Sequence, residues 1–250
     1  MTSTKIDDVP GKYYYHPVMI SQYALNYSGD DHKILRVNVN TSGPAGLFGS
    51  IAKSGAVIQN IELVDFEITT GTQNAATDYA GALVGHISQS AQIKNVLAHN
   101  TSRGVSKKIV GAVAGGLVGA VNDPASIDAC AAALYVEGSS FAGGLVGQVN
   151  PVDGASGTAS IKRSYAGGHT NHAAVAGNES PTKPYLPSGD SANPLYDRNV
   201  YSSGGTAGGL IGSAVGTAVE SCYSTCSADG RRTPHRQARR PRPQAYARSS

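Results

Sequence analysis

Tryptophan is absent from the 250 residues, and phenylalanine and cysteine occur three times each. No apolar run approaches the ~20 residues that a membrane-spanning helix requires, so no span is expected. The first residues, Met1-Thr2-Ser3-Thr4-Lys5-Ile6-Asp7-Asp8, lack the apolar core of a secretory signal. Motifs of catalysis are missing too. There is no Gly-x-x-x-x-Gly-Lys-[Ser/Thr] for a phosphate and no Gly-x-Ser-x-Gly nucleophile elbow. Asp128, Glu137 and Asp153 are too isolated in the pattern to be read as a carboxylate pair. His169 and His172 stand three apart, but a metal site needs a third ligand and groups to orient the imidazoles, so they read as neighbours in a loop. Cys222 and Cys226 invite a bridge, yet four residues of extended chain span ~13 Å, beyond what a disulfide tolerates. No second paired-ligand motif completes a zinc site. The expectation is a chain without metal or cofactor, and not an enzyme.

What is present is repetition. Gly46-Leu47-Phe48-Gly49, Ala82-Leu83-Val84-Gly85, Gly116-Leu117-Val118-Gly119, Gly144-Leu145-Val146-Gly147 and Gly209-Leu210-Ile211-Gly212 are variants of one tetrapeptide. Their leucines are 36, 34, 28 and 65 residues apart, periods typical of stacked supersecondary units. A second element follows each mark: Ile58-Gln59-Asn60-Ile61, Ile93-Lys94-Asn95-Val96, Ile127-Asp128-Ala129-Cys130, Ile161-Lys162-Arg163-Ser164 and Val219-Glu220-Ser221-Cys222. Its first residue lies 11, 10, 10, 16 and 9 residues after the marked leucine, and the long case contains the insertion Pro151 to Gly157. Loops absorb length while strands keep register.

The marked strand places Leu117, Gly119 and Val121 on one face and Val118 and Ala120 on the other, so both faces are apolar or small and the strand should be buried on both sides. Its glycines are expected to admit close backbone approach and to supply positive φ at corners. Glycine every few residues disfavours a helix over Ala112 to Gly119 by roughly 1 kcal/mol each. The fold expected is all-β, a parallel β-helix or β-solenoid. Ile58, Ile93, Ile127, Ile161 and Val219 should then form one buried column, and the five marked leucines another. Cys130 and Cys222 share an interior column with Ile61, Val96 and Ser164, where a free thiol acts as a small hydrophobe.

The Gly-Gly-Leu-Val-Gly mark and the short Ile-x-Asn-Cys-Tyr-like strand after it resemble the GLUG-motif repeats of bacterial surface proteins, from about Asn38 to Asp229. Tyr27-Ser28-Gly29-Asp30-Asp31-His32-Lys33-Ile34 resembles the sequence that often precedes such arrays. The resemblance implies parallel β-solenoid coils in a long extracellular chain, of adhesin-like or prepilin-like type or flanking an immunoglobulin-A metallopeptidase. His-Glu-x-x-His, which that peptidase would need, is absent. The function implied is a non-enzymatic structural or adhesive scaffold, a fragment of a bacterial surface or secreted protein and part of a longer chain. Two alternatives remain: a carbohydrate-active β-helix enzyme, favoured if charged residues of successive coils converged in one groove, and an accessory module of a larger surface protease or pilin-like protein.

Three segments result. Residues 1–42 form a leading cap, with Tyr13, Tyr14, Tyr15, His16, Pro17, Tyr23 and Tyr27 covering the first coil or offering an aromatic platform to a glycan. The missing tryptophan weakens the glycan reading. Residues 43–230 hold the repeats, with a loop insertion at about 171–205 that carries Tyr185, Tyr196 and Tyr201. Host or cell-surface glycans or proteins would bind through such loops. Residues 231–250 hold seven arginines, no lysine and no acid, whereas 1–230 hold 13 basic against 17 acidic side chains. This tail is expected to be disordered and resembles out-of-frame translation of a GC-rich gene. No specific nucleic-acid partner is expected, although any arginine cluster attracts phosphate. Deleting 231–250 is expected to leave the thermal midpoint within about 2 °C of the parent, since the tail has almost no apolar side chain to bury. A larger fall in a melting scan would give the tail a part in the fold.

Overall fold

A computed structural model describes residues 16–71, 77–100, 107–151, 158–167, 200–226 and 228–230. Among them there is no helix, and 23 strands form three sheets in which every pairing is parallel. The chain is all-β.

Sheet A takes, in spatial order, Val18–Ile20, Phe48–Ile51, Val84–Ile87, Val118–Val121, Val146–Val149 and Ile211–Ala214. Sheet B begins with Asn26–Leu35, Ala56–Val64 and Ala91–His99. It continues as split strands: Ala125–Asp128 with Ala131–Ala133, Ala159–Lys162 with Tyr165–Ala166, and Thr217–Glu220 with Tyr223–Ser224. Sheet C runs Asn38–Thr41, Glu67–Thr70, Lys108–Gly115, Tyr135–Gly143, Val200–Ser202 and Ala228–Asp229, with Tyr79–Gly81 and Thr206–Gly208 paired alongside. The chain therefore visits A, B and C in that order six times, and each visit lies beside the last. Parallel neighbours need a long connection between them, and here the other two sheets supply it. The first round lies within the segment expected to be a cap: residues 18–41 contribute the first strand of each sheet and bury Ile20 and Val39.

The register follows the repeat. Ile58, Ile93, Ile127 and Ile161 are successive Cα partners and are all buried, at no more than 2 % exposed. Val219 continues the column but is 49 % exposed, because its strand is the last of its row in sheet B. The leucines also align, through backbone bonds from Leu83 N to Leu117 O (3.0 Å), Leu117 N to Leu145 O (2.9 Å) and Leu145 N to Leu210 O (2.8 Å). Leu47, Leu83, Leu117 and Leu145 are buried, while Leu210 is only partly so. Each buried Leu or Ile contributes roughly 1.5–3 kcal/mol, and the columns make that contribution recur in every round.

Two expectations are corrected. Leu117 does not sit inside a strand with Gly119 and Val121: Gly116 and Leu117 form a bend, and the strand starts at Val118. The bend is so tight that a Cβ on Gly115 would overlap the carbonyl oxygen of Val118, which explains the glycine. Nor do the mark glycines supply the positive φ. Among the described glycines only Gly43, Gly55 and Gly216 have it; the recurrent left-handed position belongs to Asn60 (φ 57°), Asn95 (50°), Ala129 (52°), Arg163 (46°) and Ser221 (53°). Each is the third residue of the aliphatic element, where the chain bends within sheet B. Asparagine tolerates this region, whereas other L-residues lose roughly 1–2 kcal/mol there.

The two asparagines also bond to each other across the repeats. Asn95 Nδ2 donates to Asn60 Oδ1 at 3.0 Å, and Asn60 Nδ2 donates to Ser28 Oγ at 3.4 Å. The ladder stops at Ala129. Ala129→Asn is expected to stabilise the chain by about 1–2 kcal/mol, from a relaxed φ and one more amide bond to Asn95. Urea unfolding checks this: an unchanged or lower midpoint at constant m value would deny the ladder.

Candidate functional site

Strand alternation sends one set of side chains into the core and the other outward, so outward residues also form rows one repeat apart. On sheet B, Gln59, Lys94, Asp128, Lys162 and Glu220 share such a row. Lys162 Nζ reaches Glu220 at 3.0 Å, and the Arg163 guanidinium pairs with Asp128. Glu137 pairs with Lys108 at 2.7 Å. Such exposed pairs are worth about 0–1 kcal/mol each. Of the three isolated acids named from the sequence, Asp128 and Glu137 are thus held by cations in separate sheets, and Asp153 lies outside the described residues.

A cluster of ionisable groups gathers where sheet B turns into sheet C. Glu62 Oε1 lies 2.8 Å from His99 Nε2 and 2.9 Å from Lys33 Nζ, joining three successive rounds. Burial pushes the Glu62 carboxyl up, but hydrogen bonds and charge from His99 and Lys33 outweigh it and leave its pKa below the usual value. His99 and Asn100 are buried; Asn100 Nδ2 donates to Lys107 O at 2.8 Å, and Lys107 Nζ reaches Glu67 at 3.2 Å. This cluster cross-links rounds. No group of three or more His, Cys, Asp or Glu side chains placed to hold a metal occurs among the described residues.

Tyr79, from a sheet C strand, lies against the ring of His86 on sheet A with centroids 4.6 Å apart, and His86 Nε2 is 3.1 Å from Asn122 Oδ1. Burial lowers the His86 pKa and raises that of Tyr79, so both groups favour the neutral form. At the start of sheet B, a shallow groove of about 270 Å³ crosses four rounds. Ala56, Ala91 and Ala125 line it with Ser90, Gln92, Ser126, Thr158 and Ser160, and no ionisable side chain is among its lining residues. It offers hydroxyls and one amide to a neutral ligand and has no acid or base to transfer a proton.

Cys130, Cys222 and Cys226 are free thiols. Cys130 sits in the column of Ile61, Val96 and Ser164, buried, with its N–H donating to Ser164 Oγ at 3.1 Å. Cys222 is only partly buried, at the same end of the row as the exposed Val219. Burial raises the Cys130 thiol to about 12 and Cys226 to about 11. Of the tyrosines named from the sequence, Tyr27 belongs to the first strand of sheet B and packs edge-on against Phe48 of the second round at 6.0 Å. Tyr23 is 82 % exposed, and Tyr201 belongs to a sheet C strand. Tyr13, Tyr14, Tyr15, His169, His172, Tyr185, Tyr196 and the tail 231–250 lie outside the described residues.

Sequence reasoning missed the Glu62–His99, His86–Asn122 and Asn60–Asn95 contacts. Their separations of 37, 36 and 35 residues are one repeat, so aligning polar residues by column would have exposed them. No protein-family model, curated protein or solved structure matches the chain.

Thiol labelling checks the columns. In denaturant three thiols should react. In the native chain Cys130 should react at least about 100-fold more slowly than Cys222, being both buried and protonated. Equal native rates would place Cys130 outside the core, and a single reactive thiol in denaturant would reveal a bridge.

Proposed function

We propose that the three sheets are the faces of a parallel β-solenoid of GLUG-like repeats, and that the chain serves as a non-enzymatic scaffold on a bacterial surface. The observation that carries this is the order of visits, A to B to C six times, with aliphatic columns in register from round to round. A chain that winds this way has its backbone bonds between rounds and its side chains in continuous columns, the construction of repeat proteins whose neighbours stabilise one another. Such a body presents long outward rows for display. Host or cell-surface glycans or proteins would dock at connections between the sheets; of the insertion expected at about 171–205, Val200–Ser202 is a strand of sheet C. The extracellular setting rests on the resemblance of the marks to GLUG repeats. Pairing of the outward acids with bases supports a scaffold over a hydrolase or lyase, since a glycan-cleaving site needs converging carboxylates or bases free to move protons.

Incubating the chain with a panel of acidic and neutral polysaccharides should release neither new reducing ends nor unsaturated uronate products, while pull-down with insoluble glycans or host matrix proteins should retain it. Turnover of any polymer above a heat-treated control would replace the scaffold with the carbohydrate-active enzyme. No retention by any of these surfaces would remove adhesion and leave a structural module.

A further inference from the structure

Among the described residues, the strands at the two ends of the sheets have a neighbour on one side only. At the last round Val215 is 59 % exposed, Val219 49 % and Tyr223 36 %; at the first, Met19 is 63 %, Leu35 58 % and Val18 43 %. Exposed strand edges that carry apolar residues are templates for pairing. We propose that the last round of one copy docks on the first round of a second copy, head to tail, continuing all three sheets in parallel. This inference rests on the solenoid reading.

The two ends match each other column by column. If the register continues, each last residue receives the first residue of its own column. Ile211 would receive Val18, Ala214 would receive Ile20, Val219 would receive Tyr27, and Ala228 would receive Val39. All four inward columns stay apolar across the junction. The outward columns are also compatible. Glu220 would meet Ser28 and Asp229 would meet Asn40, so neither carboxylate faces another acid in its column. Lys33 would lie over Tyr223, whose ring already stacks on Tyr165 at 5.1 Å, which extends an aromatic row with a cation. A copy docked the other way round would set strands antiparallel and break these columns. Because the two surfaces differ, the contact is heterologous, and repeating it yields an open filament unless a rotation closes it into a ring.

The test uses the full chain and two variants, each altered where the single molecule leaves the side chain nearly half exposed: Val219→Lys at the last round and Val18→Lys at the first. Far-UV circular dichroism of both should match the parent, so a loss of assembly cannot be mistaken for unfolding or for failure of the solenoid. In sedimentation velocity the parent's mass should rise with concentration from 25.6 kDa, whereas each variant alone should stay at that mass. An equimolar mixture retains one intact end of each kind and should give a species of about twice the mass and no larger. A parent that stays monomeric at millimolar concentration would overturn the proposal, as would either variant assembling alone or a mixture that stays monomeric.

Discussion

Every described strand pairs only with strands of the round before or after its own, so the backbone bonds of one round are satisfied by the rounds beside it. That requirement imposes one geometry on six successive passes. A corner that opened differently in one round would shift its strands out of register and misplace whole columns. The tight bend at Gly115 and Gly116 answers this constraint. A side chain at Gly115 would collide with the turn's own carbonyl, and the same crowding recurs at Gly143 against Val146 and Gly208 against Ile211. The crowded corner glycine thus recurs in the last four rounds, at Gly81, Gly115, Gly143 and Gly208.

A second device keeps the bend inside sheet B uniform although its residues vary. Asn60 and Asn95 hold the left-handed position with a side chain suited to it and bond to each other, while Ala129, Arg163 and Ser221 hold the same φ without that advantage. Neighbouring rounds on either side dictate the geometry strongly enough to carry the local strain, as expected where tertiary context over-determines a backbone. Cys130 belongs to the same logic: one residue after the bend it fills an apolar column and donates to main-chain oxygens of Asp128 and Ile93, which leaves its sulfur inert.

Strand class, repeat length and the identity of the aliphatic columns were legible in the sequence because the marked leucines and the Ile-x-Asn-Ile elements keep their spacing. The first round was not: residues 18–41 lack the glycine mark, and only Ile20, Tyr27 and Val39 betray their columns. The left-handed position was hidden because five different rounds fill it with four residue types. The exposure of Val219 and the partial burial of Leu210 go with their place in the last described round, which no residue of their own repeat encodes. The candidate site was less legible still. Glu62, His99 and Lys33 are unremarkable one by one and acquire partners only when rounds are laid side by side.

The bonds between rounds also set how the molecule meets force. A pull applied between the first strand of sheet A, at Val18, and the last, at Ile211, loads successive inter-round ladders in series, so the weakest one bears the full tension. Failure would proceed by peeling: one round detaches and lengthens by up to ~3.3–3.6 Å per residue before the next takes the strain. With rounds of 28 to 36 residues between most marks, the chain would release its length in steps of roughly 90 to 130 Å, and so dissipate work as a tether instead of breaking as a rod.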